Sequence, residues 1–409
     1  MAINHHLKQD LIAYTHQFID NIKNQQSNPN NLSWCLHNPI GFRTGYSTVN
    51  QMGSTSIKQF MNVTIGSSLS TISKQFRTTV LSTIQERYLT PLTALGVQFD
   101  HQNKIYFLSS LNALLKKYWF IIHKWPLPDL FSYLNQCCQL YFKSAELPED
   151  LYLQEKSIQN QYGIKAYEEL RLEFIKNKRP LSLLCYLCVR ANWIDSYEPN
   201  RLTIIHSLLE EINDILDDPS SKSTLIQSLP LFHYQPLTYE IQGNPKVFLY
   251  ECDNHGELFF DLILIEYMLI RGHQIIISTK HAPILNDVTF KDMTLLIKSP
   301  TLSHLKPYFQ SNQLSIIDNG SKDVFKSLHT VSNNYKQAYT QADVIILKGQ
   351  GHFESFPILA DYYLKKRYNR YKKPHYYLLG LKSSISLNSL KLIYPKAELQ
   401  MNVLYYYES

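Results

Sequence analysis

Residues 246–257 read Lys246-Val-Phe-Leu-Tyr-Glu-Cys-Asp-Asn-His-Gly-Glu257. An apolar run closes on a knot of polar groups and a glycine, which is how a buried strand hands its chain to a loop. The next stretch, Gly256 to Arg271, is apolar for too long to be a strand and stops at Gly272, so it reads as a helix. The same alternation continues to the C-terminus. Strands are expected over 273–280, 314–318, 343–347 and 375–382, with a sixth at an edge over 403–407. Helices are expected over 287–298, 333–342 and 353–368. Strands alternating with helices imply a mostly parallel sheet covered on both faces, a three-layer α/β/α arrangement. Right-handed crossovers bring the C-terminal ends of the strands to one edge. Ligands bind there, where strand order reverses. In the order 3-2-1-4-5 the reversal lies between the first and fourth strands.

Upstream of about residue 235 the grammar is helical. Leu11, Ile12, Tyr14, Phe18, Ile19 and Ile22 form one stripe. Further amphipathic stretches fall near 70–88, 110–122, 127–143, 164–176 and 202–216, punctuated by Pro126, Pro148, Pro180, Pro199 and Pro219. Asn24 to Asn31 reads as a short polar linker. The expected division is therefore an all-helical N-terminal domain, 1–235, and an α/β domain, 236–409. With 409 residues, 44% of them hydrophobic, the chain can bury a substantial core.

The formal charge of +6 is spread along the chain. Its only dense run, Lys365-Lys-Arg367 with Arg370, Lys372 and Lys373, leads into a strand and reads as a solvated helix end, so no nucleic-acid partner is expected. The six cysteines show no disulfide spacing. Cys185 and Cys188 lie in an apolar run and read as buried helical thiols. The start, Met1-Ala-Ile-Asn-His-His6, is not a secretory signal. Leu258 to Ile270 carries Asp261 and Glu266 and is too short to span a bilayer. A cytoplasmic protein without a membrane partner is expected.

The polar residues collect at the predicted C-terminal strand ends. They are Asp253-Asn254-His255-Gly256-Glu257, Asn286-Asp287, Asp318-Asn319-Gly320-Ser321, Lys348-Gly349-Gln350-Gly351-His352 and Lys382-Ser383-Ser384. Two carboxylates and a carboxamide, Asp253, Asn254 and Asp287, are hard oxygen donors suited to Mg²⁺ or Mn²⁺. Lys348, Lys382 and the Gly349–Gly351 loop offer the complementary anion cradle. Each element has a duller reading. Asp253 and Asp287 are also good helix caps. The two lysines are also ordinary solvated strand ends. Five loaded strand ends on one edge favour a site.

Three blocks resemble the damage-control phosphatase family, also catalogued as domain of unknown function 89. They are Asp253-Asn-His-Gly-Glu257 with Phe260-Asp261 and Arg271-Gly-His273, then Pro283-Ile-Leu-Asn-Asp-Val-Thr289, then Ala342-Asp-Val-Ile-Ile-Leu-Lys-Gly-Gln-Gly-His-Phe-Glu354. A fourth, weaker block is Arg190-Ala-Asn-Trp-Ile-Asp195. The resemblance implies a helical region capping a Rossmann-like α/β/α sandwich. It implies a divalent metal (Mg²⁺, Mn²⁺, Co²⁺ or Ni²⁺) on Asp253, Asn254 and Asp287. It also implies substrate contacts from Glu257, Asn286, Lys348, Gly349, Gln350, Gly351 and Lys382, with Asn192 and Asp195 at the pocket wall. Two positions depart from the family pattern. His255 replaces the usual Ala and His352 the usual Asn. Either imidazole would alter substrate choice, add a metal ligand, or mark a degenerate enzyme.

The expectation is a metal-dependent phosphatase acting on a small phosphorylated metabolite, by direct attack of water. The Asp-x-Asp pattern of haloacid-type phosphatases is absent, since His255 stands at its second position. Two alternatives stand beside it: a protein-carboxylate methyltransferase, and a non-catalytic metal- or phosphate-binding protein.

Overall fold

The structure is a computed structural model. It describes residues 2–27, 69–90, 100–122, 127–177, 179–195, 201–324, 326, 331–355, 373–382, 384–391 and 394–408. The linker expected at 24–31 and the basic run at 365–373 lie largely outside these residues.

Two compact units make up the chain. The first comprises Met1–Tyr152, Lys322–His329 and Ser355–Tyr363, and the second the remainder. In the first, all regular structure among the described residues is helical: α1 (Ala2–Ser27), α2 (Leu69–Ile84), α3 (His101–Lys117) and α4 (Leu127–Ser144), with a π-helical turn at Gln85–Leu89 and a single helical turn at Trp119–Ile122. Asp100 starts α3 by accepting the Gln102 N–H at 2.9 Å, a standard N-cap. Helix α1 packs on α3 and α4. Its Tyr14 stacks on Tyr133, with ring centroids 6.1 Å apart. Its buried Thr15 hydroxyl meets the Tyr133 hydroxyl at 2.9 Å.

The second unit opens with helices α5 (Leu153–Ile175), α6 (Leu181–Ala191), α7 (Arg201–Asp217), α8 (Pro219–Gln227) and α9 (Tyr234–Gln242). Cys185 and Cys188 are buried in α6, where burial pushes the Cys185 thiol up to about 12. Strands β1 (Val247–Glu251), β2 (Gln274–Thr279), β3 (Leu314–Asp318), β4 (Val344–Lys348), β5 (Pro374–Gly380) and β6 (Asn402–Glu408) form one sheet. Its order is β3-β2-β1-β4-β5-β6. All neighbours are parallel except β5–β6, so the fold is mixed α/β on a mostly parallel sheet, with the reversal between β1 and β4.

Helices α10 (Leu258–Leu269), α11 (Phe290–Leu296), α12 (Asn333–Gln341), α13 (Gly349–Ser355) and α14 (Ser384–Lys391) follow the strands. Helix α10 is buried all round, as its uniform apolarity demands. It lies against α5, where Gly163 allows the approach: a Cβ there would sit 2.5 Å from both Gly256 O and Phe259 Cδ2. Helix α11 starts at 290, later than expected, because Thr289 and Asp292 form a capping box. Helix α13 starts at 349, earlier than expected, directly from β4. No helix among the described residues is long and apolar enough to cross a membrane.

Candidate metal and phosphate site

The site is built where β1, β2, β4 and β5 end. Asp253 and Asn254 leave β1, and Asp287 lies in the loop after β2. The two segments are stitched together: Asn254 and Asp287 pair in an isolated antiparallel bridge, and the Val288 N–H donates to Asp253 O at 2.8 Å. Neither aspartate caps a helix. Glu257 precedes α10, and Thr289 caps α11. The duller reading of both residues is therefore removed.

Side-chain orientation is set by neighbours. Glu257, almost fully buried, accepts the Asn254 side-chain amide at 2.9 Å through Oε1. That fixes the carboxamide and turns its Oδ1 into the available oxygen donor. Asn192, at the end of α6, donates to Asp253 Oδ2 at 3.2 Å and to both Glu257 oxygens at 3.1 and 3.2 Å. Its own Oδ1 accepts the Gly380 N–H at 3.0 Å, so it ties β5 to the β1 loop. The Asp195 side chain lies outside the described residues. Asn286 points back to Gln159 on α5, at 3.1 Å.

The groups expected to face phosphate lie at or just beyond the ends of β4 and β5. Gly349 has φ +76°, a left-handed conformation that favours glycine. A Cβ added there would lie 1.5 Å from Asp253 Oδ2. The carboxylate thus lies directly over the first residue of α13. Lys382 donates its backbone N–H to Gln350 Oε1 at 2.7 Å, and its ammonium reaches Asn192 O and lies 5.8 Å from the Trp193 ring centroid. Gly349, Gln350 and Gly351 form the first turn of α13.

Lys348 is fully buried, with its ammonium 3.0 Å from Glu257 Oε2, 3.1 Å from Asp261 Oδ1 and bonded to Cys188 O. Burial lowers its affinity for a proton, but the Asp261 and Glu257 charges outweigh that and hold it above the usual lysine range. The same burial pushes the Asp261 carboxyl up to about 7, although Lys348 opposes it. Three acceptors match the three donors of an ammonium.

Some participants escaped the sequence reading. In the sequence Asp261 reads only as a mark against a membrane helix and as part of a family block. An acid inside an unbroken apolar helix signals a buried partner, here Lys348. Lys280, at the end of β2, is buried with its ammonium 3.4 Å from Asp287 Oδ2.

The ring nitrogens of His255 and His352 face protein groups. His255 places Nδ1 3.1 Å from Asn160 Oδ1 and Nε2 3.1 Å from Asp292 Oδ2. Burial raises the Asp292 carboxyl, but His255 and Lys156 outweigh it and hold the group well below the usual carboxylate range. His352 places Nδ1 2.6 Å from Lys348 O and Nε2 3.7 Å from Glu251 Oε2.

The donor set suits a hard divalent cation: two carboxylates and an oriented carboxamide oxygen from two joined loops. No cluster of three His, Cys, Asp or Glu side chains that could hold a metal occurs among the described residues. A set with only two carboxylates leaves the remaining coordination to water and substrate, as Mg²⁺ and Mn²⁺ allow.

Comparison with known proteins gives the family and the fold. The model of the damage-control phosphatase ARMT1-like domain matches residues 80–391. The chain belongs to that family. The damage-control phosphatase PH1575 of Pyrococcus horikoshii is 32% identical over 209 residues, which span 49% of this chain and 63% of that protein. The uncharacterized protein MJ0202 of Methanocaldococcus jannaschii is 32% identical over 139 residues, 34% of this chain and 39% of that protein. The matched segments thus cover less than two thirds of either curated relative. The crystal structure of the Pyrococcus DUF89 family protein superposes with a TM-score of 0.55, at 21% identity, over 80% of this chain and 96% of that one. At that identity the likeness speaks for the fold alone.

Proposed function

We propose that this member of the damage-control phosphatase family is a metal-dependent phosphatase that hydrolyses a small phosphomonoester of the phosphorylated-metabolite class. The observation that carries this reading is the stitching of the β1 and β2 loops, by the Asn254–Asp287 bridge and the Val288 N–H bond to Asp253 O, beside the strand-order reversal between β1 and β4. The proposed frame is a three-layer, Rossmann-like α/β/α sandwich, with the chemistry on residues 236–409 and residues 1–235 as the helical part.

Asp253, Asn254 Oδ1 and Asp287 would hold a divalent cation, Mg²⁺, Mn²⁺, Co²⁺ or Ni²⁺. Bound there, the cation supplies charge neutralisation and a more acidic water. The residues of the chain do the rest. The Gly349–Gly351 amides at the start of α13, with Gln350 and Lys382, receive the phosphate oxygens. Lys348 adds a fixed positive charge beneath that turn and pairs with Glu257 Oε2 at 3.0 Å. Glu257 and Asn192 hold Asn254 and Asp253 in the orientation that attack in line on phosphorus requires. Asn286 and Asp195 complete the proposed pocket wall. The methyltransferase alternative fits less well. β2 ends in Thr279 and Lys280, and Lys280 sits on Asp287, where a nucleotide ribose would call for an acid.

A panel of sugar phosphates, nucleotides and p-nitrophenyl phosphate, assayed with each of the four metals, tests the proposal. Metal-stimulated phosphate release that disappears in Asp253→Asn is expected. Turnover that survives this substitution, or methyl transfer from a labelled donor without phosphate release, would overturn it.

A further inference from the structure

The β1 and β2 loops are held together by a second, side-chain link outside the donor set. Asn160 Oδ1 lies 3.3 Å from the Gly256 N–H and 3.1 Å from His255 Nδ1. The Gly256 donor identifies that atom as the oxygen, so His255 Nδ1 carries a proton toward it. On its other side the ring faces Asp292 Oδ2, which also accepts the Thr289 N–H at 3.1 Å and lies 3.4 Å from Lys156 Nζ. Thr289 is two residues beyond Asp287, and His255 is one residue beyond Asn254. The His255 backbone N–H adds a bond to Asn286 O at 3.0 Å. Both loops are thus gripped by one polar stripe of α5, Lys156, Gln159 and Asn160, with the His255 ring spanning the gap.

We propose that His255 is a positioning residue that fixes the spacing of the two metal-bearing loops, and so sets the affinity of the site for its divalent cation. The inference rests on the metal-site reading above. An alanine at this position would have no group to span from Asn160 to Asp292. The structure assigns the imidazole a place behind the donors, since both ring nitrogens face protein acceptors. Partners behind metal ligands typically change affinity by about 10–100-fold when removed.

Calorimetric titration of the full chain with Mn²⁺ alone, without substrate, tests this. His255→Ala and Asp292→Asn should each weaken Mn²⁺ binding by about 10–100-fold. The double variant should be little worse than either single one, because both break the same link. His255→Gln, which keeps one amide donor, should fall between wild type and His255→Ala. It also serves as the test variant if the alanine form does not fold. Thermal melting of the metal-free forms separates a general loss of stability from a loss of metal. If the folded variants bind Mn²⁺ within twofold of wild type, or lose only metal-free melting temperature, the positioning role is overturned while the metal site stands. If wild type itself binds no Mn²⁺, the metal-site reading fails, and this inference with it.

Discussion

Replacing Gly349 by alanine separates backbone strain from damage to the site. The new methyl carbon would lie 1.5 Å from Asp253 Oδ2 and 2.3 Å from its Cγ. An unstrained contact needs roughly 3.5 Å, so the carboxylate must retreat by about 2 Å. A misplacement of about 1 Å at a reacting centre costs on the order of 100-fold in rate. Gly349→Ala should therefore lower kcat/KM for p-nitrophenyl phosphate, at saturating Mn²⁺, by at least about 100-fold. The left-handed φ of +76° adds about 1–2 kcal/mol of destabilisation. Gly272→Ala is the matched control. It has φ +87° at the opposite edge of the sheet, and its nearest neighbour would be Pro245 Cγ at 3.5 Å. It should lose a similar stability in urea and keep its turnover. If Gly349→Ala retained turnover within about threefold of Gly272→Ala, the carboxylate over α13 would have no part in the chemistry.

Two further expectations concern stability. Lys348→Met leaves Glu257 and Asp261 buried without their cation, and urea unfolding should show a loss of about 3–5 kcal/mol. Adding Asp261→Leu should restore part of it, and no recovery would mean the two charges are not coupled. His375 is buried, with Nδ1 2.8 Å from Lys373 O and Nε2 3.1 Å from the Tyr339 hydroxyl, and burial lowers it from 6.5 to about 4. The folded protein binds this proton less readily than the unfolded chain, so the linked stability is present above about pH 6.5 and is lost as the pH falls through 4. Between pH 7 and pH 4.5 wild type should lose about 2–3 kcal/mol that His375→Gln keeps, and equal pH profiles in urea would refute it.

The sheet was legible because a central parallel strand is buried on both faces and reads as an unbroken apolar run. Phe248–Tyr250, Ile275–Ile277 and Val344–Leu347 are such runs. The strand ends carrying Asp253, Asp287 and Lys348 follow from them. Pairings across long stretches of chain were not legible. Glu266 is bound by Arg171, 95 residues away, yet in sequence it only interrupts an apolar helix. Lys280 carries no signal of its own at the end of the predicted second strand, yet it is buried on Asp287. The start of α13 was missed because Gly-Gln-Gly reads as loop, whereas the left-handed Gly349 turns the chain directly into a helix. The roles of the histidines at 255 and 352 stay open in the sequence because it shows only that an imidazole is near. Its direction depends on Asn160, Asp292 and Glu251, which no local pattern links to it.

The most direct measurement is Mn²⁺ binding to wild type, Asp253→Ala and Asp287→Ala, followed by calorimetry on the full chain. A single binding event in wild type, removed by either substitution with the fold retained, is the predicted result. Binding that survives the loss of one of the two carboxylates unchanged would contradict a shared cation between the β1 and β2 loops.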